Sequence, residues 1–279
     1  MSKRIVVGLD PSEYTEVALH VAIERAKRTG GTVIGVGTVD VPGIERSSSG
    51  AGVGASHFAK KAREKHITEA EEIVEGLIES FKTTCETAGV SYETEYKSGE
   101  PAHEIGDAGR SADLIILGTR SHFNFETEKK HGDTIQEVLR ERACPVMAVP
   151  KGFKLPFKHV VCPYDGSMKA SHALRELVAL SGIEPVATDV VLLRIDDDVD
   201  DGLRDLERPT QYLEAYGFKV EKKVLPGDAP DVILSVAKEH QPGLVVLGTS
   251  GKSGLRAFLF GSVTRTLLED GTIPMFVAG

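Results

Sequence analysis

The sequence predicts an α/β fold made of two tandem doubly wound, parallel-sheet domains of Rossmann-like type. The first observation behind this prediction is a repeat: residues 5–10 (IVVGLD) match residues 160–165 (VVCPYD) at an offset of 155 residues. Ser12 and Ser167 are separated by the same offset. The second is that short runs of Val, Ile and Leu alternate with helical stretches. That alternation is typical of a parallel sheet covered by helices on both faces.

The repeat continues to the end of the chain. Residues 114–119 (LIILGT) return as 244–249 (LVVLGT), and residues 145–149 (PVMAV) return as 274–278 (PMFVA). The offset falls to about 130 because the first copy has a longer connection after its second strand, where insertions are tolerated. We therefore expect one domain at residues 1–152 and the other at 157–279, joined at residues 152–156.

Each copy contains five predicted strands separated by helices. The strands of the first copy are expected at residues 4–9, 33–38, 92–97, 114–117 and 146–149. Those of the second are expected at 159–164, 190–195, 219–225, 244–247 and 275–277. The longest helix is predicted at 58–88, where apolar residues recur every three to four positions. They are Ile67, Ala70, Ile73, Leu77 and Ile78.

Composition limits the partners and the compartment. The formal net charge of -9 gives no basic footprint for a phosphate backbone, so a nucleic-acid partner is not expected. The chain has no apolar stretch of membrane-spanning length and no secretory signal, which predicts a cytoplasmic protein. The odd number of cysteines, without metal-ligand spacing, suits a reducing compartment, and Cys85, Cys144 and Cys162 are expected to be small buried hydrophobic residues.

A glycine-rich segment follows the fourth predicted strand of the second copy. Gly248, Gly251 and Gly261 precede Ser262 and a helix predicted at residues 263–269. Glycines let a backbone approach phosphate closely, and the free N–H groups of a helix start attract anions. In open α/β sheets, ligands bind at the carboxyl ends of the strands. The alternative is that these glycines only form turns and Ser262 only caps the helix.

The spacing Gly248-x2-Gly251-x9-Gly261-Ser262 after LVVLGT resembles the nucleotide-binding motif of the universal stress protein family. Both IVVGLDPS and VVCPYDGS resemble the family's first strand and its aspartate, so the resemblance covers essentially the whole chain and indicates a tandem member. In ATP-binding members, the aspartate and residues after the second strand hold the adenosine, and the glycine loop holds the phosphates. The resemblance thus implies ATP, with or without Mg²⁺. By position, Pro163, Asp165 and Ile195 would surround adenine and ribose, and Gly248, Gly251, Gly261, Ser262 and Val263 would contact the phosphates.

Asp165 also makes chemical sense without the resemblance. A carboxylate at a strand end accepts hydrogen bonds from a ribose hydroxyl or an exocyclic amine. The alternative is an Asx turn that caps the next helix. Ser167 has the same two interpretations; there the helix N-cap is favoured, and Ser167 is not included in the site.

The first copy departs from the motif in three places. Ser121 replaces the second glycine, ten residues instead of nine precede Gly132, and Asp133 replaces the serine. An aspartate at the helix start puts negative charge where a phosphate would lie. We therefore expect a degenerate or repurposed site there, although Asp10 and Gly118 are kept.

Two other segments resemble ligand sites. The glycine-rich residues 47–56 partly match a dinucleotide fingerprint, but no strand leads into them, and we interpret them as a flexible loop or lid. Asp196, Asp198, Asp200 and Glu207 match positions 1, 3, 5 and 12 of a calcium loop, but Asp201 stands where the loop needs glycine. A solvated acidic loop is favoured over a metal site.

Three functions remain open. The leading hypothesis is a non-catalytic, ATP-dependent stress regulator, because no general acid–base pair or phosphoryl-stabilising cation is placed by motif. The second is slow ATP hydrolysis or nucleotidyl transfer at the same site, and the third is a nucleotide-free interaction scaffold. Because family members often dimerise through their last strand, the resemblance implies an internal pseudo-dimer in which residues 146–149 meet 275–277. A homodimer of whole chains is compatible with this arrangement.

Overall fold

The computed structural model describes residues 3–47, 56–123, 133–141, 143–155, 157, 159–181, 189–240, 243–248 and 261–278. Its N-terminal half contains, in chain order, β1 (Arg4–Leu9), α1 (Glu13–Thr29), β2 (Thr32–Val39), α2 (Val41–Ser47), α3 (Ser56–Ala88), β3 (Ser91–Ser98), α4 (Pro101–Gly109), β4 (Leu114–Gly118), α5 (Asp133–Glu141) and β5 (Val146–Val149). Its C-terminal half contains β6 (His159–Pro163), α6 (Met168–Ser181), β7 (Asp189–Ile195), α7 (Val199–Ala215), β8 (Lys219–Leu225), α8 (Ala229–Glu239), β9 (Gly243–Gly248), α9 (Ser262–Asp270) and β10 (Met275–Ala278). All predicted strands are confirmed, with ends that differ by at most one residue.

The described strands form one sheet in the order β3-β2-β1-β4-β5-β10-β9-β6-β7-β8. Within each half, all neighbouring strands are parallel. The first strand of each half lies between the second and the fourth. The second and third strands therefore lie on one side of the first strand, and the fourth and fifth strands lie on its other side. This topology confirms the predicted fold class of two doubly wound domains.

Helices cover both faces of the sheet. On one face α1, α3, α6 and α7 bury residues such as Ala18 and Leu206, and on the other α4, α5, α8 and α9 bury residues such as Ile105 and Leu267. Successive strand residues point to opposite faces, so each strand contributes to both layers. Because each layer contains residues of both halves, the two halves share their hydrophobic cores.

The two halves meet through their last strands. β5 and β10 pair in antiparallel fashion, and all the paired side chains are buried. The pairs are Val146 with Val277, Met147 with Phe276, and Ala148 with Met275. The predicted internal pseudo-dimer is thus confirmed, and it removes from solvent two strand edges that would otherwise offer unpaired backbone groups. The exact domain boundaries, 1–152 and 157–279, stay predictions.

The apolar stripe of α3 is rotated slightly from its predicted position. Ala70 and Ile78 are buried as expected, but Ile73 is 37% exposed and Val74 is fully buried in its place. Val74 packs against the backbone of Gly37 in β2. Each helical residue turns the side chain by about 100°, so the sheet contact, which periodicity alone does not specify, selects Val74 over its neighbour.

Two of the three cysteines are buried as predicted. Burial raises the pKa of the Cys85 thiol to about 11, and it raises the pKa of Cys162 as well. The prediction is wrong for Cys144, which is only partly buried in the turn between α5 and β5. Among the described helices, none combines the length and apolar character needed to cross a bilayer.

Candidate functional site

The carboxyl ends of β6, β7 and β9 form one edge of the C-terminal half. Since β6 pairs in parallel with both other strands, their last residues, Pro163, Ile195 and Gly248, come to the same edge, and Asp165 follows two residues after Pro163. Strand alternation puts Pro163 on the face of the sheet that α8 and α9 cover, where Ile195 also packs. This edge is the switch point, because the chain leaves β6 and β9 in opposite directions.

The N-terminus of α9 continues this edge. Gly261 is the N-cap residue, with φ -57° and ψ 145°, and among the described residues no side chain caps the helix and no acidic residue lies in its first turn. The first N–H groups of a helix have no partner within it. Ser262, the first helical residue, is exposed, and Val263 is partly buried against the core. The alternative that Ser262 is the N-cap is wrong, because Gly261 holds that position.

Three parts of the predicted pattern lie outside the described residues. They are Gly251 of the proposed phosphate loop, Gly132 of the first copy, and residues 48–55 of the glycine-rich segment. Asp133 is the first residue of α5, so an acidic residue begins that helix, but Asp133 lies inside the helix and not at the N-cap position that its sequence also suggested.

Gly248 has a structural reason to be glycine whatever it binds. A Cβ at this position would overlap the carbonyl group of Lys169 and lie 2.9 Å from the backbone nitrogen of Ala170, in the first turn of α6. The same approach occurs in the N-terminal half, where a Cβ on Gly118 would overlap the Cβ of Tyr14. The glycine that ends the fourth strand of each half therefore lets the first helix pack closely against it.

The Asp165 carboxylate is exposed at this edge. Its Oδ1 accepts a hydrogen bond from the backbone N–H of Ser167 at 3.0 Å, which forms the Asx turn considered above. The Ser167 hydroxyl accepts a hydrogen bond from the Ala170 N–H at 3.1 Å, so its predicted role as N-cap of α6 is confirmed. Because the side chain of Asp165 remains exposed, its local bond does not exclude a ligand contact.

The equivalent aspartate of the N-terminal half, Asp10, is only 1% exposed. The hydroxyl of Ser12 donates to its Oδ1 at 2.7 Å, the hydroxyl of Thr15 donates to the same oxygen, and the backbone N–H of His122 donates to Oδ2. The Ser12 hydroxyl therefore bonds the Asp10 carboxylate and does not cap α1. Both oxygens of Asp10 are bonded within the protein.

A phenylalanine closes the same edge of the N-terminal half. Phe123 is 1% exposed and packs with Ile105 and Leu117. A Cβ on Gly8 would lie 2.7 Å from the Phe123 ring, and Gly8 is the counterpart of Pro163 in the repeat. The loop after β4 thus fills the position that, in the C-terminal half, was predicted to face an adenosine.

Sequence reasoning missed this closure, although the repeat contains its signal. At the offset of 155, Thr15 aligns with Ala170, so only the N-terminal copy has a hydroxyl directed at the aspartate. Phe123 aligns with Ser253 at the later offset. A comparison of these pairs would have indicated that the first copy is sealed by its own side chains, in addition to having lost its glycine motif.

The acidic segment after β7 forms a helix start. Asp198 caps α7 by accepting a hydrogen bond from the Asp201 N–H at 3.0 Å, and Arg194 bonds Asp196 at 3.2 Å. The backbone N–H of Asp198 and the Arg194 guanidinium lower the pKa of the Asp196 carboxyl. Since α7 begins at Val199, the later positions of a calcium loop are helical. No cluster of three or more potential metal ligands occurs among the described residues.

Comparison with known proteins agrees with the repeat and the fold. The sequence model of the universal stress protein family matches residues 1–150 and, a second time, residues 156–279. The chain belongs to the universal stress protein family. Among the relatives of this universal stress protein is Slr1230 from Synechocystis, 24% identical over 98% of both chains. Another, from Mycolicibacterium smegmatis, is 25% identical over 98% of this chain and 96% of its own.

A solved universal stress protein from Archaeoglobus fulgidus matches over essentially the full length of both chains. Its crystal structure superposes with a TM-score of 0.71, covering 100% of this chain and 98% of its own at 19% identity. At this identity the match supports the fold of our universal stress protein and leaves its ligand to be inferred from the site.

Proposed function

We propose that the protein binds one adenine nucleotide, ATP, in its C-terminal half and acts as a non-catalytic stress-response regulator. The observation that carries the proposal is the contrast between two equivalent carboxylates. Asp165 is exposed at the carboxyl edge of the sheet, whereas Asp10 is 1% exposed and bonded within the protein. Only the C-terminal copy therefore offers its aspartate to a ligand.

The adenosine end of the proposed site comprises Pro163, Asp165 and Ile195. Asp165 is a hydrogen-bond acceptor for a ribose hydroxyl or an exocyclic amine. Pro163 and Ile195, on the same face of the sheet, supply apolar surface against which a flat base can pack. Family resemblance assigns these positions to adenosine, and the exposure of Asp165 and the chemistry of all three side chains support that assignment.

The phosphate end comprises Gly248, Gly251 and residues 261–263. Gly261 has no side chain with which to cap the first N–H groups of α9, and both these N–H groups and the helix dipole favour an anion at this end. The exposed Ser262 adds a hydroxyl donor. Mg²⁺ would come with the nucleotide on its phosphates, because Arg194 and the cap of α7 already engage Asp196 and Asp198.

The test compares ATP binding to wild type, Gly261→Asp and Gly261→Asn by calorimetry, after heat release of any ligand that copurifies. Asp and Asn have nearly equal size and are both good N-cap residues, so both variants should keep α9 folded. They differ in charge, and only aspartate repels phosphate at the helix start. We expect one ATP per wild-type chain, loss of binding in Gly261→Asp, and partial retention in Gly261→Asn.

The other outcomes identify the competing functions. Two ATP molecules per chain would contradict the closed N-terminal copy. Accumulation of ADP in the wild type, absent in Gly261→Asp, would indicate the hydrolytic enzyme. No released nucleotide and no binding heat would refute nucleotide binding and leave the interaction scaffold.

A further inference from the structure

The loop after β4 of the N-terminal half reaches across to the C-terminal end of α9. The guanidinium of Arg120 donates from Nη2 to the carbonyl oxygens of Glu269, at 2.9 Å, and Asp270, at 3.4 Å. The buried hydroxyl of Thr119 donates to the carbonyl oxygen of Gly271 at 3.0 Å. Two consecutive residues of one half thus bond three consecutive carbonyls of the other.

These bonds meet a need of the helix itself. The last carbonyl groups of an α-helix have no partner within it and form the negative end of its dipole. The Arg120 guanidinium supplies hydrogen-bond donors to these carbonyls and a positive charge at the negative end of the dipole. Gly271 ends the helix with φ 68°, and a Cβ there would lie 2.5 Å from Nε of Arg120, so the guanidinium lies directly against this glycine.

The loop that carries Arg120 is itself fixed. Thr119 donates its backbone N–H to Val149 at 2.9 Å, the His122 N–H bonds Asp10, and Phe123 is buried in the core. The residues that close the N-terminal copy therefore also hold Arg120 in place. The N-terminal half thus provides a fixed loop that contacts the C-terminal end of α9.

α9 connects this support to the proposed phosphate site. The helix has nine residues, with Gly261 as N-cap at one end and the carbonyls bonded by Arg120 at the other, so it spans about 13 Å. A short helix moves as a rigid body, and a shift of its C-terminal end displaces the N–H groups of its first turn. We infer that Arg120 is a positioning residue that sets the affinity of the C-terminal site for the phosphates of the nucleotide. This inference rests on the proposed function.

The test measures the dissociation constants of ATP and adenosine for wild type, Arg120→Ala, Arg120→Lys and Arg110→Ala. Arg110 is the matched control, because it is an exposed arginine whose ion pair, with Asp107 at 3.2 Å, is local in the chain. We expect Arg120→Ala to weaken ATP binding about fivefold and to leave adenosine binding within about twofold. Lysine keeps the positive charge but lacks the planar guanidinium and its several donors, so Arg120→Lys should retain part of the ATP affinity that Arg120→Ala loses. Arg110→Ala should bind ATP as wild type does.

The ratio of the two dissociation constants separates positioning from stability. A merely structural role would lower the melting temperature without changing the preference for ATP over adenosine. If wild type binds ATP and Arg120→Ala keeps that preference, the positioning inference is wrong and the proposed function stands. If wild type binds neither ligand, the proposed function fails, and this inference fails with it.

Discussion

The backbone N–H of His122 donates a hydrogen bond to the carboxylate of Asp10, 112 residues earlier in the chain. This bond joins the loop after β4 to the end of β1, and the equivalent segments of the C-terminal copy are those between which we expect a nucleotide to lie. With the hydroxyls of Ser12 and Thr15, it satisfies a carboxylate that is 1% exposed. The N-terminal copy has therefore turned its aspartate from a candidate ligand contact into a structural one.

The first prediction separates the two aspartates. Asp10→Ala leaves four donors without their acceptor, namely the hydroxyls of Ser12 and Thr15 and the backbone N–H groups of Ser12 and His122. We expect the free energy of unfolding to fall by about 2–4 kcal/mol. Asp165→Ala removes a carboxylate that is exposed to solvent, so its cost should stay below about 1 kcal/mol, whereas ATP binding should weaken. Urea denaturation measures the first effect and calorimetry the second. Equal losses of stability would contradict the contrast between the halves.

The second prediction concerns the close approach at Gly248. In Gly248→Ala the new methyl group overlaps the first turn of α6, which should cost about 1–3 kcal/mol. Gly76 is the control: it lies inside α3 with no atom within 4 Å of a Cβ, so Gly76→Ala should raise stability by about 0.5–1 kcal/mol. Thermal unfolding of both variants without nucleotide tests this. Unchanged stability in Gly248→Ala would indicate that the glycine is needed only for a ligand.

The third prediction tests the pairing of the halves through Met147 and Phe276, which face each other across β5 and β10. In a double-mutant cycle of Met147→Ala and Phe276→Ala, the unfolding free energies should depart from additivity by about 0.5–1 kcal/mol. Ile34→Val combined with Phe276→Ala is the control. Ile34 lies in β2, four strands away, and this pair should be additive. Additivity in both cycles would contradict the direct contact.

The fourth prediction concerns pH. Burial raises the pKa of Asp270, but hydrogen bonds from Lys238 and Thr272 outweigh it, and the net pKa is lowered. A carboxyl with a lowered folded-state pKa stabilises the protein above the usual pKa of about 3.9, and that stability is lost as pH falls through the folded value. Asp270→Asn should therefore be less stable than wild type at pH 7, by about 1 kcal/mol. In urea titrations at pH 7, 5 and 3 the difference should shrink toward pH 3, and a constant difference would contradict this assignment.

Much of the candidate site was readable because it depends on local sequence. Pro163, Ile195 and Gly248 each end a strand, and parallel strands bring their carboxyl ends to one edge by topology. The role of Ser167 as an N-cap also follows from neighbours in sequence. Ser12 occupies the same position in the repeat, but its hydroxyl bonds the carboxylate of Asp10. Thr15 and the His122 N–H also bond this buried carboxylate. A hydrogen bond to a charged carboxylate is stronger than one to a neutral group, which favours Asp10 as the partner of Ser12.

The sequence by itself determined the two α/β copies, the order of their strands along the chain, and the difference between their glycine loops, because periodicity and backbone requirements are written in adjacent residues. Only the tertiary structure decided that Val74 instead of Ile73 faces the sheet, that Phe123 fills the edge of the N-terminal copy, and that Arg120 holds the end of α9. These features join residues that lie far apart in the chain. Their partners are selected by the distances that packing creates, and no local pattern specifies those distances.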